Sequence, residues 1–186
     1  MKGHPLLVTA DIHSSEEALE AVIALGAQLS ASRLLIAGDL CPHSQRMALL
    51  LQNAPFPYVA VKGNCDSLWD FKDLGLAIPR ESCHIAMDDG HHIGMAHGHS
   101  IWTPDDLPIP LTSGDIFILG HSHVPLLEKD GKGIIHLNPG SPSRPRGPQG
   151  ATVGIITDEE VRIIRLKDGK VLANLGRMAK TSESEG

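Results

Sequence analysis

The first 66 residues alternate in a way that few folds can accommodate. Three short, largely apolar runs (residues 6–10, 33–37 and 58–62) are separated by two stretches with helical spacing. Ser14, with Glu17 three residues later, reads as a capping box that opens a helix over about 15–30, on which Leu19, Val22, Ile23 and Leu29 share a face. A second helix is expected over 45–52. Strand, helix, strand, helix, strand is the signature of a parallel sheet, because parallel neighbours cannot be joined by a tight turn.

Each run ends in polar residues: Asp11-Ile12-His13, Gly38-Asp39, and Gly63-Asn64-Cys65-Asp66. Open parallel sheets bind ligands at the carboxyl ends of their strands. Side chains two apart on an extended segment project to one side, so Asp11 and His13 would grip one ion together. A carboxylate and an imidazole are costly at the end of a buried strand unless something pairs with them.

The texture changes after Asp66. Residues 68–79 read as a short helix or loop, followed by short apolar or alternating runs at 83–87, 92–97, 116–119, 134–138, 152–157 and 161–166. Asp89-Gly90, Asp130-Gly131 and Asp168-Gly169 mark turns between them. The second half is therefore expected to be mostly β and to form a second sheet packed on the first. One domain is expected over 1–179, with a frayed tail over 180–186. Two late runs again end in histidines, His97-Gly98-His99 and Gly120-His121-Ser122-His123.

The histidines outweigh the aromatics, 11 against one Tyr and three Phe, which directs attention to ligands. The net charge of −6 counts against binding along a phosphate backbone, so no stable nucleic-acid partner is expected. No apolar run approaches the roughly 18–20 residues that cross a bilayer, and no membrane association is expected. Three cysteines argue against a disulfide framework, and a cytoplasmic location is the expectation.

Collected, the strand-end groups are Asp11, His13, Asp39, Asn64, His97, His121 and His123. They are too many for one four-coordinate zinc and suit two divalent ions with one carboxylate between them. Mixed imidazole, carboxylate and amide oxygen favour Mn, Fe, Co, Ni or Zn over Ca, with Mn the first expectation. Two such ions together can supply a hydroxide and polarise a phosphoryl group, which implies hydrolysis of a phosphate ester.

The ordered set Asp-x-His, Gly-Asp, Gly-Asn, Gly-His and Gly-His-x-His resembles the calcineurin-like metallophosphoesterase superfamily. Ala96 stands where its fourth motif has glycine. Gly63-Asn64-Cys65-Asp66, His97-Gly98-His99 and Asn138-Pro139-Gly140-Ser141 make the chain similar to the small YfcE-type phosphodiesterases of that superfamily. The resemblance implies two packed mixed sheets flanked by helices (an α/β/β/α sandwich) and a small phosphoester substrate. One metal would be held by Asp11, His13, Asp39 and His123, the other by Asp39, Asn64, His97 and His121, with Asp39 bridging. In-line attack by a bridging hydroxide is the mechanism it implies. Relatives of this type are often oligomeric, which leaves a homo-oligomer open.

Cys65 departs from the superfamily's monoesterases, in which a histidine follows the Asn and protonates the leaving group. A thiol of reference pKa about 8.5 shuttles protons less well near neutrality, so diesters with good leaving groups are the expected substrates. His99 is the other candidate acid. Two competing readings follow from the same resemblance. One is a protein-interaction scaffold like the retromer subunit of this fold; the other is a monoesterase or dinucleoside polyphosphate hydrolase. Intact ligand positions favour catalysis over the scaffold. Asp66 is expected to cap the next helix, His91 and His92 to lie exposed beside a turn, and Cys41 and Cys83 to pack. His43, Arg144 and Arg146 are candidates for the rim of the site, and Trp69 and Trp102 for the pocket border or an oligomer contact.

Overall fold

Alternation along the first strands sets the layers of the molecule. Strands β1 (Leu6–Thr9), β2 (Arg33–Ile36) and β3 (Tyr58–Ala60) pair in parallel. They are linked through α1 (Glu16–Gln28) and α2 (Gln45–Gln52), and α3 (Leu68–Asp73) follows. Leu7, Leu34 and Ile36 face Leu19 and Val22 of α1, Met47 and Leu51 of α2 and Phe71 of α3. Their neighbours Val8 and Leu35 face the opposite way, onto a second sheet. The first sheet is thus buried on both faces, each fully buried Leu, Ile or Val contributing about 1.5–3 kcal/mol. That is why its strands read as continuous apolar runs.

The computed structural model describes residues 3–177, so the tail at 180–186, for which fraying is expected, lies outside the described residues. The second sheet contains β4 (Ser82–Ala86), β5 (His92–Ala96), β6 (Ile116–Ile118), β7 (Leu126–Lys129) and β8 (Ile135–Asn138) in the order β4-β5-β6-β8-β7. Its central strands β5, β6 and β8 run parallel to one another. Its outer face is covered by the connection from β5 to β6, which contains one helical turn, Pro104–Asp106. Leu107 and Leu111 of that connection seat so closely on Gly94 that a side chain there would collide with them.

The last strands do not join the second sheet as the sequence suggests. β9 (Thr152–Ile156), β10 (Glu160–Arg165) and β11 (Val171–Gly176) return to the first sheet as an antiparallel extension, in the order β11-β10-β9-β1-β2-β3. Val153 and Ile155 then join the helix-side core while Ile156, Val161 and Ile163 fill the space between sheets. β9 is buried throughout, so its pattern carries no clue to its partner.

Three local expectations are corrected. The N-cap of α1 is Ser15, whose hydroxyl accepts from the Ala18 N–H at 3.2 Å; Ser14 stands at φ 66° and donates to the Cys41 carbonyl instead. Ser67, not Asp66, caps α3. His91 is 2% exposed. The β4–β5 hairpin folds it inward beneath Gly114, where a Cβ would collide with His91 Nε2, and Asp89 accepts its backbone N–H. His92 is half-buried and faces His84, ring nitrogens 2.9 Å apart.

Candidate metal centre

The parallel strands β1, β2, β3, β5, β6 and β8 release their carboxyl ends at one edge of the two-sheet stack. The connections there are tied together by backbone hydrogen bonds. Asp11 N–H donates to the Gly38 carbonyl (3.0 Å), His13 N–H to Asp39 (2.9 Å) and Ser14 N–H to Leu40 (3.1 Å). The Gly120 N–H donates to the His97 carbonyl (2.9 Å), which joins the two histidine-bearing segments of the second sheet.

Within this edge, five of the seven residues singled out in sequence have positive φ: Asp11 (55°), His13 (46°), Asp39 (51°), His121 (67°) and His123 (62°). Asp11 and His13 therefore converge through a tightly wound left-handed turn rather than through the two-residue alternation of a strand. A non-glycine residue in that region costs about 1–3 kcal/mol. Such strain persists only where the surroundings over-determine it, and here they do. Ser141 Oγ (2.7 Å) and Ser143 Oγ (3.1 Å) both donate to the Asp11 carbonyl. Asn138 Nδ2 donates to the Gly120 carbonyl (2.7 Å) and to Ser122 Oγ (3.0 Å). The Asn-Pro-Gly-Ser segment after β8 thus braces the turns that carry Asp11 and His121.

Glycines make the close approaches possible. A Cβ on Gly63 would collide with the Asp39 carboxylate and backbone nitrogen, and one on Gly38 with the His97 ring. A Cβ on Gly120 would sit 2.6 Å from the Ala37 carbonyl oxygen and 3.1 Å from Asp11 Oδ2.

The side chains meet at short range. His13 Nε2 and His123 Nε2 are 3.1 Å apart, their rings stacked, and His123 Nε2 is 3.4 Å from Asp11 Oδ1. His13 Nε2 lies 3.8 Å from Asp11 Oδ1 and 3.7 Å from Asp39 Oδ2. On the other side of Asp39, Oδ2 is 3.4 Å from His97 Nε2. Asn64 Oδ1 is 3.1 Å from His97 Nε2 and 3.0 Å from His121 Nδ1. Asp39 stands between the two groups. All seven residues are brought together. Candidate cation-holding clusters include Asp11, His13 and His123 on one side and Asp11, Asp39 and His97 on the other.

Two of the imidazoles are aimed from behind. His97 Nδ1 donates to the Ala37 carbonyl (2.8 Å) and His123 Nδ1 to the Arg144 carbonyl (2.8 Å), which aims each Nε2 at the centre, as metal-binding histidines require. The residue that sequence reasoning misassigned is Asp66. It is 7% exposed, and its carboxylate accepts from the N–H groups of Gly63 (2.8 Å), Asp39 (3.0 Å) and Cys41 (2.7 Å). It holds the Asp39 turn; only its place directly after Gly-Asn-Cys hinted at this. His99 Nε2 lies 3.5 Å from Glu81, and Cys65 is exposed, with its N–H on Asp39 Oδ1 (2.8 Å).

Electrostatics test whether cations fit. Asp11 is fully buried, and neither of its carboxylate oxygens has a hydrogen-bond partner of normal geometry among the described residues. Burial raises its pKa to about 7; the charge of His97 and the nearby His121 N–H pull down, and the charge of Asp39 pushes up. Asp39 is held well below the usual carboxylate range: burial opposes ionisation, but hydrogen bonding with His97 and the Cys65 N–H overrides it. Burial lowers the pKa of His13, His121 and His123, which favours neutral, ligating imidazoles. Two unpaired carboxylate oxygens facing neutral imidazole nitrogens are a donor set suited to divalent cations.

Fold and centre together define a metal-dependent phosphoesterase. The chain belongs to the calcineurin-like phosphoesterase superfamily, whose domain model matches residues 5–160. Among characterised relatives it is similar to phosphodiesterase YfcE of Escherichia coli K12, 34% identical over 181 residues covering 91% of this chain and 96% of the relative. It is also similar to the metallophosphoesterase YsnB of Bacillus subtilis, named as probable, with 29% identity over 88% of this chain and 90% of that one. The solved structure of the E. coli phosphoesterase YfcE superposes with a TM-score of 0.83 at 31% identity, covering 94% of this chain and all of the other.

Proposed function

We propose that the chain is a phosphodiesterase that works with two divalent ions at this centre. Asp11, His13, Asp39 and His123 would hold one, and Asp39, Asn64, His97 and His121 the other, with Asp39 shared. The observation that carries this reading is the buried Asp11 carboxyl with neither oxygen hydrogen-bonded, a group whose ionised form is costly there unless a cation faces it. The ions would supply Lewis acidity and a nucleophilic water ionised near neutral pH; Mn is the ion expected, with Fe, Co, Ni and Zn sharing its donor preferences.

The chain's own residues supply position and charge. Asp66 and the Asn138–Ser141 brace fix the turns that carry Asp39 and Asp11, and backbone carbonyls fix the aim of His97 and His123. Arg144 and Arg146 are exposed beside His123, close enough for their charges to act on it, and would draw the substrate anion in. Burial and the neighbouring Asp39 push the Cys65 thiol above its usual pKa, so it stays protonated and gives up its proton reluctantly. The substrate is therefore a small diester whose leaving group departs without strong acid assistance, with His99 the alternative acid. Three free cysteines support a reducing, cytoplasmic setting.

The test is metal content after purification together with turnover of bis(4-nitrophenyl) phosphate. We expect near two divalent ions per chain and Mn-stimulated release of nitrophenol. Protein that takes up no metal and gives no turnover with added Mn would sink the reading and leave the scaffold in its place.

A further inference from the structure

The two flanks of the centre differ in chemistry, and the difference selects a substrate. On the His123 flank stand Arg144 and Arg146, both exposed. On the His121 flank the charges are already matched. Glu81 pairs with Lys62 Nζ (3.3 Å) and faces His99 Nε2 (3.5 Å), and accepts from Ser100 Oγ (3.2 Å). This flank therefore offers little to a second anionic group. What it does offer is Trp102. The indole is 58% exposed, its ring centroid is 5.8 Å from that of His121, and the two planes are nearly perpendicular at 85°.

An indole left this open forgoes much of the burial that normally stabilises it, and its backbone is not loose. Asp106 Oδ2 accepts from the N–H of Trp102 (3.1 Å), the N–H of Thr103 (2.9 Å) and Thr103 Oγ1 (3.0 Å). Pro104 is buried in the same turn, and Leu107 is seated on Gly94. The backbone of Trp102 is thus fixed beside His121, one of the residues proposed to hold an ion at the centre, a condition for pre-organised recognition.

We infer that Trp102 is a specificity-determining residue that receives a flat aromatic ester group on the phosphate, an aryl ring or a nucleobase, through its π-face. This inference deepens the phosphodiesterase reading and rests on it. An aryl ring joined to phosphorus through one ester oxygen needs only a few ångströms to pass from His121 to the indole, and a nucleobase would reach it from further out, across its ribose. An alkyl substituent would leave the indole unused, and an anionic one would belong on the Arg144–Arg146 flank.

The experiment reads binding to metal-loaded protein, so it does not require turnover. In a Trp69→Phe background the remaining indole is that of Trp102, because the chain has two tryptophans. Phenylphosphonate should perturb its emission and bind about tenfold more tightly than methylphosphonate, the size expected for one aromatic stacking contact. In Trp102→Ala that preference should collapse towards parity, and Trp102→Phe should retain most of it. A second pair, uridine 5′-monophosphate against ribose 5-phosphate, separates the two sources of ring. A preference lost with Trp102 in both pairs assigns nucleobases as well as aryl groups; a loss confined to the phosphonates assigns aryl esters alone. An aryl preference that survives Trp102→Ala, or that is absent from the Trp69→Phe protein, overturns the inference. Failure of the phosphodiesterase reading is scored separately, as metal-loaded protein that binds neither phosphonate and turns over no diester.

Discussion

At the scale of single residues, Cys65 is the position where chemistry and neighbourhood diverge. Its backbone is integral to the centre, since the N–H binds Asp39, while its side chain is exposed, accepts from Asn64 Nδ2 (3.2 Å) and faces the Asp39 carboxylate. The side chain is therefore free to change without rebuilding the turn. A thiol pushed above its usual value is a weak proton donor at neutrality, whereas an imidazole titrating near the working pH is an efficient one. Cys65→His should raise turnover of 4-nitrophenyl phosphate relative to the diester by on the order of tenfold or more. An unchanged ratio of monoester to diester rates, with metal content held equal, would show that this position does not set the preference. The same scale explains a misreading. Asp66 looks like a helix cap because it precedes a helix, but two of its three backbone donors come from the Asp39 turn and one from its own turn after β3, and only the three-dimensional meeting of those turns reveals it.

At the scale of elements, the first three strands and first two helices were legible, because each buries one stripe or face and the periodicities of strand and helix differ. α2 falls on the expected residues, and α1 differs by its cap and by an end two residues short of the expected 30. The strands β7 and β11 were not legible; their residues are mostly exposed or half-buried, so no run of buried side chains marks them. The return of β9–β11 to the first sheet was equally hidden, since a strand buried on both faces can pair anywhere. The convergence of the site was legible by its chemistry and order, yet its local geometry was not: the left-handed turns at Asp11 and Asp39 are imposed by neighbouring turns. Glycines between strand and ligand carry that imposition. Gly63→Ala, small as it is, should force the β3–α3 turn off Asp39, destabilise the fold by about 1–3 kcal/mol and lower metal occupancy. Thermal unfolding with metal analysis checks this, and an unaltered Tm and full occupancy would mean that the turn yields freely.

At the scale of the whole molecule, the centre is a cost to the metal-free fold that cations repay, and Asp11 lets that be measured. Its carboxyl has a pKa of about 7 when folded against an ordinary 3.8. Between those values the folded chain holds a proton that the unfolded chain has released, so this group makes stability fall as pH rises from about 4 to about 7, and level off above. The histidines of lowered pKa act in the opposite sense, since the unfolded chain binds their protons first, and the overall pH curve mixes both. Asp11→Asn isolates the carboxylate, because the amide stands in for its protonated form at nearly equal volume. In the presence of chelator, Asp11→Asn should be more stable than the parent protein by a margin that is small near pH 4, grows towards pH 7 and is constant beyond. With Mn in excess the order should reverse, because cations bind the ionised carboxylate, stabilise the folded state by mass action and release a proton as they enter. Tm measured across pH for both proteins, with and without metal, gives four curves. A margin that does not grow with pH in chelator would mean that Asp11 is not held protonated by burial. Failure of the order to reverse in Mn would remove Asp11 from the metal shell, and with it the principal reason for placing cations at this edge of the two sheets.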